Sequence, residues 1–586
     1  MRLIIKSFTY FYFPILESFF FNNLYVGKPF FTILNVLRYE IKKDLLGSVE
    51  LNITLNKIGD KMKKYKKLGI SRTALIAVIA VVIIVALVAG YMFMKGPAPK
   101  ESVIIIGTTD RVTDLDPAMA YDFFTWEVLS NVGEGFFKYE PGTLKLVPGL
   151  AEDYEVREGG KVWILKLRKG LKFKDGTELT AEVAKWSIER VKRIEGDPAW
   201  FVTDFVESVE VIDKYTLKIT LFQPVAFYKA VLAVPTYFPV SPNSYSADEV
   251  SPDNTAGGIG PYYIEKFVRD QELVLKANPN YYEKPKTDKI IIKFYKDATA
   301  LRLALESGEI DIAWRTLNPS DIVDLKKKGE FQVIEGKGAF IRYIVFNTRI
   351  PPLDNKLVRQ ALAAALDRKA IADRIFLGTV TPLYSLVPAG MWGHIDAFKE
   401  KYGEGPDYDL AKQLLTQAGY SESNKLKIEL WYTPSHYGST EADVAALIKE
   451  SWEKTGLVEV TIKSAEWSTY LELTRGQGLP ITLYGWYPDY IDPDNFLFPF
   501  LHTDSNRWLG KPYSNPDMDV LLEQAQIESD QDKRADLYAQ VQRMLAEDAP
   551  IVPIFQGKLY IVAKKNVKGI VLDPYMLLRY WLIYKE

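Results

Sequence analysis

Cysteine is absent from this chain of 586 residues, and histidine occurs only three times. A chain without cysteine has no disulfides, no thiol nucleophile and no N-terminal cysteine to carry a lipid, so its stability must come from core packing. The three histidines, His394, His436 and His502, lie far apart in sequence and match no metal-ligand spacing. We therefore expect no metal site and no catalytic centre built on these residue types.

The signature motifs of common enzymes are missing as well. The sequence contains no Gly-x-Ser-x-Gly, no His-Glu-x-x-His and no phosphate-loop Gly-Lys-Ser/Thr, which are the usual evidence for lipases, zinc proteases and ATPases. The pair Gly258 and Gly260 lacks the third glycine of a dinucleotide fingerprint and predicts a turn. A net charge of −2 gives no reason to expect nucleic acid as a partner. We expect no cofactor and no enzymatic activity.

One long apolar run is present. Ala74–Met94 covers 21 residues without a charge, Asn, Gln or Pro, and as a helix it would span ~31 Å, enough to cross a bilayer. Several lysines and Arg72 crowd its N-terminal side, whereas only Lys95 and Lys100 follow closely. Positive charge stays in the cytoplasm, so the part of the chain after Gly96 is expected outside. The pattern predicts a protein of the cell membrane with a single N-terminal anchor and an extracellular binding domain.

Two alternatives to this uncleaved anchor remain open. Leu87-Val88-Ala89 is a weak match to the cleavage site of a secretory signal, which would release the protein. Lys67–Ser71 resembles the cut sites of archaeal pilin-type signal peptides, which would leave the anchor attached. Met62 and the lysines after it are typical of the start of an exported protein. We therefore interpret residues 1–61 as a non-native upstream extension and residues 62–100 as membrane anchor and spacer.

The remainder of the chain mixes strand and helix patterns. Alternating segments such as Val162–Leu167 and Thr216–Leu221 predict strands. Thr180 is a typical helix N-cap, and helices become frequent from about Asp297, among them a single predicted helix over Lys356–Phe376. Hydrophobic residues at 48% and charged residues at 25% are globular averages. These patterns predict a multi-domain α/β protein.

Candidate site residues are concentrated in Gly485–Phe496, a segment too rich in proline for a helix or a central strand. Its aspartates raise the alternative of a glycoside hydrolase with paired carboxylates, although acidic residues beside prolines usually cap turns. Rigid aromatic rings around a carboxylate instead favour an extended ligand that carries an amine or many hydroxyls. Each ring has the alternative of ordinary packing around a turn. The aspartates are Asp489, Asp492 and Asp494, and the proposed ligand-binding residues are Asp489, Trp486, Tyr487 and Tyr490.

Several blocks of sequence occur in a recognisable order. They include Trp163–Gly176, Gly258–Tyr262, Asn278–Tyr282, Leu305–Asp311, Phe346–Thr348, Val358–Leu362, Leu414–Tyr420 and Gly485–Phe496. In these blocks, over nearly all of residues 101–586, the chain resembles the extracytoplasmic solute-binding proteins of ABC importers. The resemblance is to the dipeptide- and oligopeptide-binding family (solute-binding family 5), here in a membrane-anchored form of the archaeal type. Because the blocks are mostly turns and helix faces, the resemblance predicts the fold more firmly than the ligand.

The resemblance implies an α/β, two-lobed, periplasmic-binding-protein-like fold with the ligand cleft between the lobes. Lobe I would cover residues 101–345, including an extra subdomain inserted at about 141–255. Lobe II would cover residues 346–549, and residues 550–586 would return to lobe I. The chain would cross between lobes near Phe346-Asn347 and Pro550–Phe555, and closure about these crossings would bury the ligand.

The resemblance also implies a function. A monomer would capture di- or oligopeptides outside the cell and deliver them to an ABC permease driven by separate ATPase subunits. The family's ligand-amine aspartate falls on Asp489, with Trp486 and Tyr487 as neighbours. Dipeptide binders of the family hold the ligand carboxylate with an arginine shortly before the helix that here begins near Thr440, and Trp431–Tyr437 contains no arginine. This departure favours longer peptides or, as an alternative ligand, an uncharged oligosaccharide.

Overall fold

The computed structural model describes residues 101–253, 257–476, 478–573 and 577–586. The predictions for residues 1–100, which include the anchor Ala74–Met94, lie outside the described residues. Among the helices that are described, none combines the length and the apolar character needed to cross a bilayer. Strands and helices alternate along the described chain, as the sequence predicts for an α/β protein.

The strands are numbered here in chain order. They are β1 (Val103–Thr108), β2 (Phe137–Tyr139), β3 (Leu146–Pro148), β4 (Ala151–Arg157), β5 (Val162–Leu167), β6 (Val206–Asp213), β7 (Thr216–Leu221), β8 (Tyr262–Val268), β9 (Glu272–Ala277), β10 (Lys289–Phe294), β11 (Ile312–Trp314), β12 (Gln332–Phe346), β13 (Val380–Pro382), β14 (Leu426–Tyr432), β15 (Val458–Ser464), β16 (Ile481–Trp486), β17 (Ile551–Ala563), β18 (Val567–Lys568) and β19 (Tyr584–Lys585).

The α-helices surround these strands. They span Phe123–Val132, Ala181–Ile194, Trp200–Thr203, Tyr228–Val231, Ala298–Glu306, Pro319–Lys328, Lys356–Ala364, Arg368–Ala370, Ala397–Tyr402, Tyr408–Gln417, Glu441–Glu453, Trp467–Gly476, Asp494–Leu501, Pro516–Ile527 and Gln531–Asp548.

The main sheet has eleven strands in the order β15-β14-β16-β12-β17-β11-β1-β10-β9-β8, with β13 paired beside β17. At one side β14 runs parallel to β15 and β16. At the other side β1 runs parallel to β10 and β11. The long antiparallel pair β12 and β17 joins the two groups. The sheet is therefore two α/β units connected through one central pair of strands.

The pairing of β12 with β17 shifts register between Lys337 and Ile341. Lys337 faces Lys558 and Ile341 faces Gln556, so three residues of β12 bulge opposite Gly557. A Cβ atom on Gly557 would lie 1.5 Å from the ring of Phe340. Only glycine leaves room for that ring, and the bulge turns Phe340 across the neighbouring strand.

A separate four-stranded sheet, in the order β4-β5-β7-β6, carries the predicted strands Val162–Leu167 and Thr216–Leu221. Helix Ala181–Ile194 packs on it, and the side chain of Thr180 accepts a hydrogen bond from the N–H of Val183. The predicted N-cap is therefore confirmed. Its role is the usual one of satisfying a backbone donor in the first helical turn.

The single helix predicted over Lys356–Phe376 is wrong. The helix ends at Ala364, and Asp367 then accepts a hydrogen bond from the N–H of Ala370, capping a new short helix. The next residues, Ile371–Ile375, form a turn of π-helix. A capping aspartate within an apolar periodic segment offers the backbone an alternative partner, and here it divides the segment in two.

Candidate ligand-binding site

The predicted site segment, Gly485–Phe496, begins in the last two residues of β16 and finishes in the first turn of helix Asp494–Leu501, so the expectation of neither helix nor central strand is wrong at its two ends. Asn495, on the first turn of that helix, holds the intervening loop in place. Its Oδ1 accepts hydrogen bonds from Trp486 Nε1 at 3.0 Å and from the Asp489 N–H at 2.9 Å. Its Nδ2 donates to Asp489 Oδ2 at 3.2 Å. Asp489 is thus fixed through both its backbone and its side chain.

Asp489 is a buried carboxylate, with 8% of its surface exposed. From a distant part of the chain, the hydroxyl of Tyr121 donates to its Oδ2 at 3.1 Å. Burial raises the pKa of the Asp489 carboxyl to about 7, and the hydrogen bonds from Asn495 and Tyr121 offset only part of this effect. A carboxylate whose ionised form is disfavoured by burial gains most from a cationic partner.

Tyr487 lies between aromatic rings of two distant segments. Its ring centroid is 5.2 Å from that of Phe123 and 5.3 Å from that of Phe340. The guanidinium of Arg315 lies 4.4 Å from the centroid of Phe123 and 5.7 Å from that of Tyr487, and it bonds Asp110. Tyr487 therefore belongs to an aromatic surface that is completed by residues far before it in the chain.

Trp486 and Tyr490 pack in other directions. Trp486 contacts Phe500 and Trp508, at centroid distances of 5.1 and 5.4 Å. Tyr490 is buried, stacks on Phe227 at 5.0 Å and donates a hydrogen bond to Asp494 Oδ2 at 2.8 Å. Both rings support the loop that carries Asp489, and their ligand-binding role stays a prediction.

The two other aspartates of the segment have partners within the protein. Arg534 bonds both oxygens of Asp492, with Nη1 at 3.0 Å and Nη2 at 2.7 Å. Burial and the neighbouring Asp492 carboxylate raise the pKa of Asp494 to about 7. Since Arg534 occupies both oxygens of Asp492, this carboxylate is held in an ion pair within the protein.

The histidines lie in three different environments. His394 Nδ1 lies 2.8 Å from the carbonyl of Val387, and His502 Nε2 lies 3.2 Å from Glu523. His436 stacks on Trp467 at 3.7 Å. Within the part of the chain that the structure describes, no group of three or more His, Cys, Asp and Glu side chains is arranged to hold a metal ion.

Several residues around Asp489 and Tyr487 were missed at the level of sequence. Tyr121 lies just before helix Phe123–Val132, and Phe123 is the first residue of that helix. Arg315 follows β11, and Phe340 lies in the bulge of β12. They reach the site only through the order of strands in the main sheet. Nothing in the local patterns around these residues signals a shared site, because the contacts join segments more than a hundred residues apart.

The sheet and the site together define a class of protein. Two α/β units joined by crossing strands are characteristic of extracytoplasmic solute-binding proteins, and a buried carboxylate such as Asp489 suits a ligand with an amine. The sequence profile described as "Bacterial extracellular solute-binding proteins, family 5 Middle" matches residues 145–508. The chain belongs to this family, whose members are substrate-binding proteins.

Known relatives support this assignment. The dipeptide-binding protein of Escherichia coli is 29% identical over 472 residues, which cover 75% of this chain and 86% of that protein. Heme-binding protein A of Haemophilus influenzae is 29% identical, with 75% and 84% covered. The periplasmic binding protein DppA of Helicobacter pylori, solved with the peptide STSA, superposes with a TM-score of 0.72 at 25% identity, covering 83% of this chain and 98% of that one. The predicted two-lobed fold is confirmed.

Proposed function

We propose that this protein is the receptor of an ABC importer that captures peptides outside the cell through their α-ammonium group. The observation that carries the proposal is Asp489, a buried carboxylate held by Asn495 and Tyr121 and bordered by aromatic rings. An ammonium group inside such a cleft makes a charge-assisted hydrogen bond, which is stronger than a neutral one. The relatives named for dipeptides and the peptide complex support the same ligand class.

The proposal includes the domain boundaries predicted above. Lobe I comprises 101–345 with its inserted subdomain at about 141–255, lobe II comprises 346–549, and 550–586 returns to lobe I. In support, β12 ends at Phe346 and β17 begins at Ile551, and this pair joins the two parallel groups of the main sheet. Tyr121 donating to Asp489 is then a contact between lobes, and a ligand seated there stabilises closure.

We further propose that Ala74–Met94 tethers a monomeric receptor to the membrane beside its permease. The charge asymmetry around that apolar run supports this orientation. Native protein should then pellet with membranes and be released by detergent, but not by salt or chelator. A soluble native form that begins near Gly90 would contradict the tether and favour a cleaved secretory signal.

Ligand screening by thermal shift tests the peptide assignment. Di- to pentapeptides are compared with cello- and manno-oligosaccharides. A peptide present at about 100 times its dissociation constant should add ~2.7 kcal/mol to the free energy of unfolding, because it binds only the folded state. If sugars alone stabilise the protein, the ligand is an oligosaccharide. Release of reducing sugar that Asp489→Asn abolishes would instead show a glycoside hydrolase.

Proton release on binding is a second expected result. Near pH 6 the peptide amine is charged, whereas Asp489, with its pKa of about 7, is mostly protonated. Pairing with the ammonium ionises Asp489, so binding should release close to one proton per peptide. Calorimetry in buffers of different ionisation enthalpy measures this number.

Two comparisons make the proton measurement specific. Near pH 8 the free peptide amine, with a pKa of about 7.7–8.0, is partly neutral, so release should give way to net uptake. N-acetylated peptides, which lack the amine, should show neither effect. A proton count that is the same for free and acetylated peptides would remove Asp489 from the proposed role.

A further inference from the structure

A second charged group borders the aromatic surface at Tyr487. Arg342 and Phe340 are two residues apart on β12, so their side chains leave the same face of the strand. Phe340 stacks on Tyr487, and Arg342 pairs across the sheet with Gly485. The rings of Tyr487 and Phe340 and the guanidinium of Arg342 therefore lie on one side of the sheet, and Asp489 comes two residues after Tyr487 in the chain.

The guanidinium of Arg342 is buried but poorly bonded. The residue is 5% exposed, and its contacts to Glu441 Oε1 and to the carbonyl of Tyr437 are both long, at 3.4 Å. Among the described residues, Nη1 of Arg342 has no hydrogen-bond partner. A buried charged donor without an acceptor is costly, so this nitrogen has an unused capacity to bind an anion.

The surroundings of Arg342 are built to accommodate it. A Cβ atom on Gly485 would lie 1.8 Å from Nη1, so the guanidinium keeps this position only while residue 485 has no side chain. The ring of Tyr437 covers the other side, with its centroid 3.8 Å from Cζ. The contact of a ring face with a cation is weaker than a charge-assisted hydrogen bond, so a carboxylate at Nη1 would make a stronger interaction with the guanidinium than Tyr437 does.

The charged groups that face Arg342 are few. Glu441 balances part of its charge, and the other close neighbours, Tyr437 and Phe340, are neutral rings. The charge of Arg342 also acts on His436, because burial and, to a smaller extent, the nearby guanidinium lower the pKa of this histidine to about 4. An anionic ligand group at this end of the cleft would therefore meet a guanidinium whose bond to Glu441 is long, at 3.4 Å.

We propose that Arg342 binds the C-terminal carboxylate of the peptide whose ammonium group is held by Asp489. This inference rests on the proposed function and specifies its ligand as a short peptide with a free carboxyl terminus. Gly485, opposite Arg342, and Asp489 are four residues apart and so lie at most ~14 Å from each other, which fits about two to four peptide residues between the charged ends. The arginine missing from Trp431–Tyr437 is replaced by one from β12, beneath Tyr437.

Calorimetry with matched ligands tests the assignment. Di-, tri- and tetraalanine and methionyl-leucine are measured as free acids and as C-terminal amides. The wild-type protein should bind the amide about 10- to 100-fold more weakly than the acid, because the amide loses a charge-assisted bond. In the double variant Arg342→Gln/Glu441→Gln, which leaves no buried charge unpaired, acid and amide should bind equally.

Two further variants complete the experiment. Gly485→Ala keeps the charge of Arg342 but pushes Nη1 out of place, so it should also reduce the preference for the acid. Lys337→Gln removes one exposed positive charge from the same strand and should leave the preference unchanged.

The outcomes separate this inference from the proposed function. Equal binding of acid and amide by the wild-type protein overturns the role of Arg342 and leaves peptide capture standing. A preference that persists in the double variant also overturns it, because another cation then holds the carboxylate. Failure of every peptide to bind, in either form, overturns peptide capture itself and this inference with it.

Discussion

Asp489→Asn is expected to weaken peptide binding by ~2–4 kcal/mol, because it removes one side of a desolvated charge pair. The variant keeps the shape of the side chain, so Asn495 and Tyr121 retain a partner at this position. Folding should therefore be intact. The measurement is the dissociation constant by calorimetry at neutral pH, together with thermal unfolding of the ligand-free protein.

The pKa of Asp489 fixes the expected change in stability. In the ligand-free protein burial raises this pKa to about 7, above the unfolded value of 3.8. Below the unfolded pKa the carboxyl is protonated in both the folded and the unfolded protein, so its burial carries no charge penalty. As the pH rises from 3.8 through about 7, the unfolded protein loses this proton more readily, and the free energy of unfolding falls. Asparagine carries no charge, so Asp489→Asn should remove this part of the pH dependence.

Matched controls accompany this prediction. Asp504→Asn changes an exposed aspartate, 68% accessible, and should alter neither affinity nor its pH dependence. Acetylating the peptide should reproduce the loss seen with Asp489→Asn, and it should cost nothing further in that variant. If Asp489→Asn binds free peptides as tightly as the wild type does, the ammonium is held elsewhere.

Arg534→Gln is expected to lower the free energy of unfolding by ~3–5 kcal/mol, because it leaves the Asp492 carboxylate buried without its cation. Arg534 bonds both oxygens of Asp492 and also the carbonyl of Ala525. Asp494 lies close enough for Asp492 to raise its pKa, so the unpaired charge would also act on a second carboxyl. Chemical denaturation of the ligand-free protein measures the loss.

The double variant Asp492→Asn/Arg534→Gln should recover a large part of this stability, since no buried charge remains. Arg543→Gln serves as the control on the same helix, Gln531–Asp548, because Arg543 is 60% exposed. It should change stability by no more than about 0.5 kcal/mol. Equal effects of Arg534→Gln and Arg543→Gln would mean that the buried pair does not support the loop of Asp489.

The sequence motifs predicted the family and fold class correctly because they are local. Turns such as the one at Gly258–Gly260 and helix starts such as Thr180 depend on nearby residues. Such features can therefore be predicted from a single sequence. The helix interrupted at Asp367 shows the limit of periodicity. A single capping side chain outweighed a continuous apolar pattern, although the aspartate itself was a readable signal.

The candidate site was predictable only on one side. Asp489 and Tyr487 lie in a recognisable block, but the residues that contact them, Tyr121 at Asp489 and Phe123 and Arg315 at Tyr487, come from distant segments. Strand order determines these contacts, and strand order is not encoded in any short segment. The same limit applies to the arginine inferred to bind the carboxylate, because Arg342 lies beside Gly485 through the pairing of β12 with β16 and not through the residues before Thr440.

Phe340 belongs both to the proposed ligand site and to the central pair of strands in the main sheet. Its ring lies against Tyr487 in the proposed ligand site and over Gly557 in the central pair of strands. Under the proposed lobe boundaries Phe340 and Gly557 belong to lobe I and Tyr487 to lobe II, so a change at Phe340 would alter both a contact beside the ligand and the balance between open and closed receptor. Apparent affinity scales with the fraction of closed molecules. Adaptation of this receptor to a new nutrient is therefore tied, at this residue, to how readily it hands its cargo to the permease.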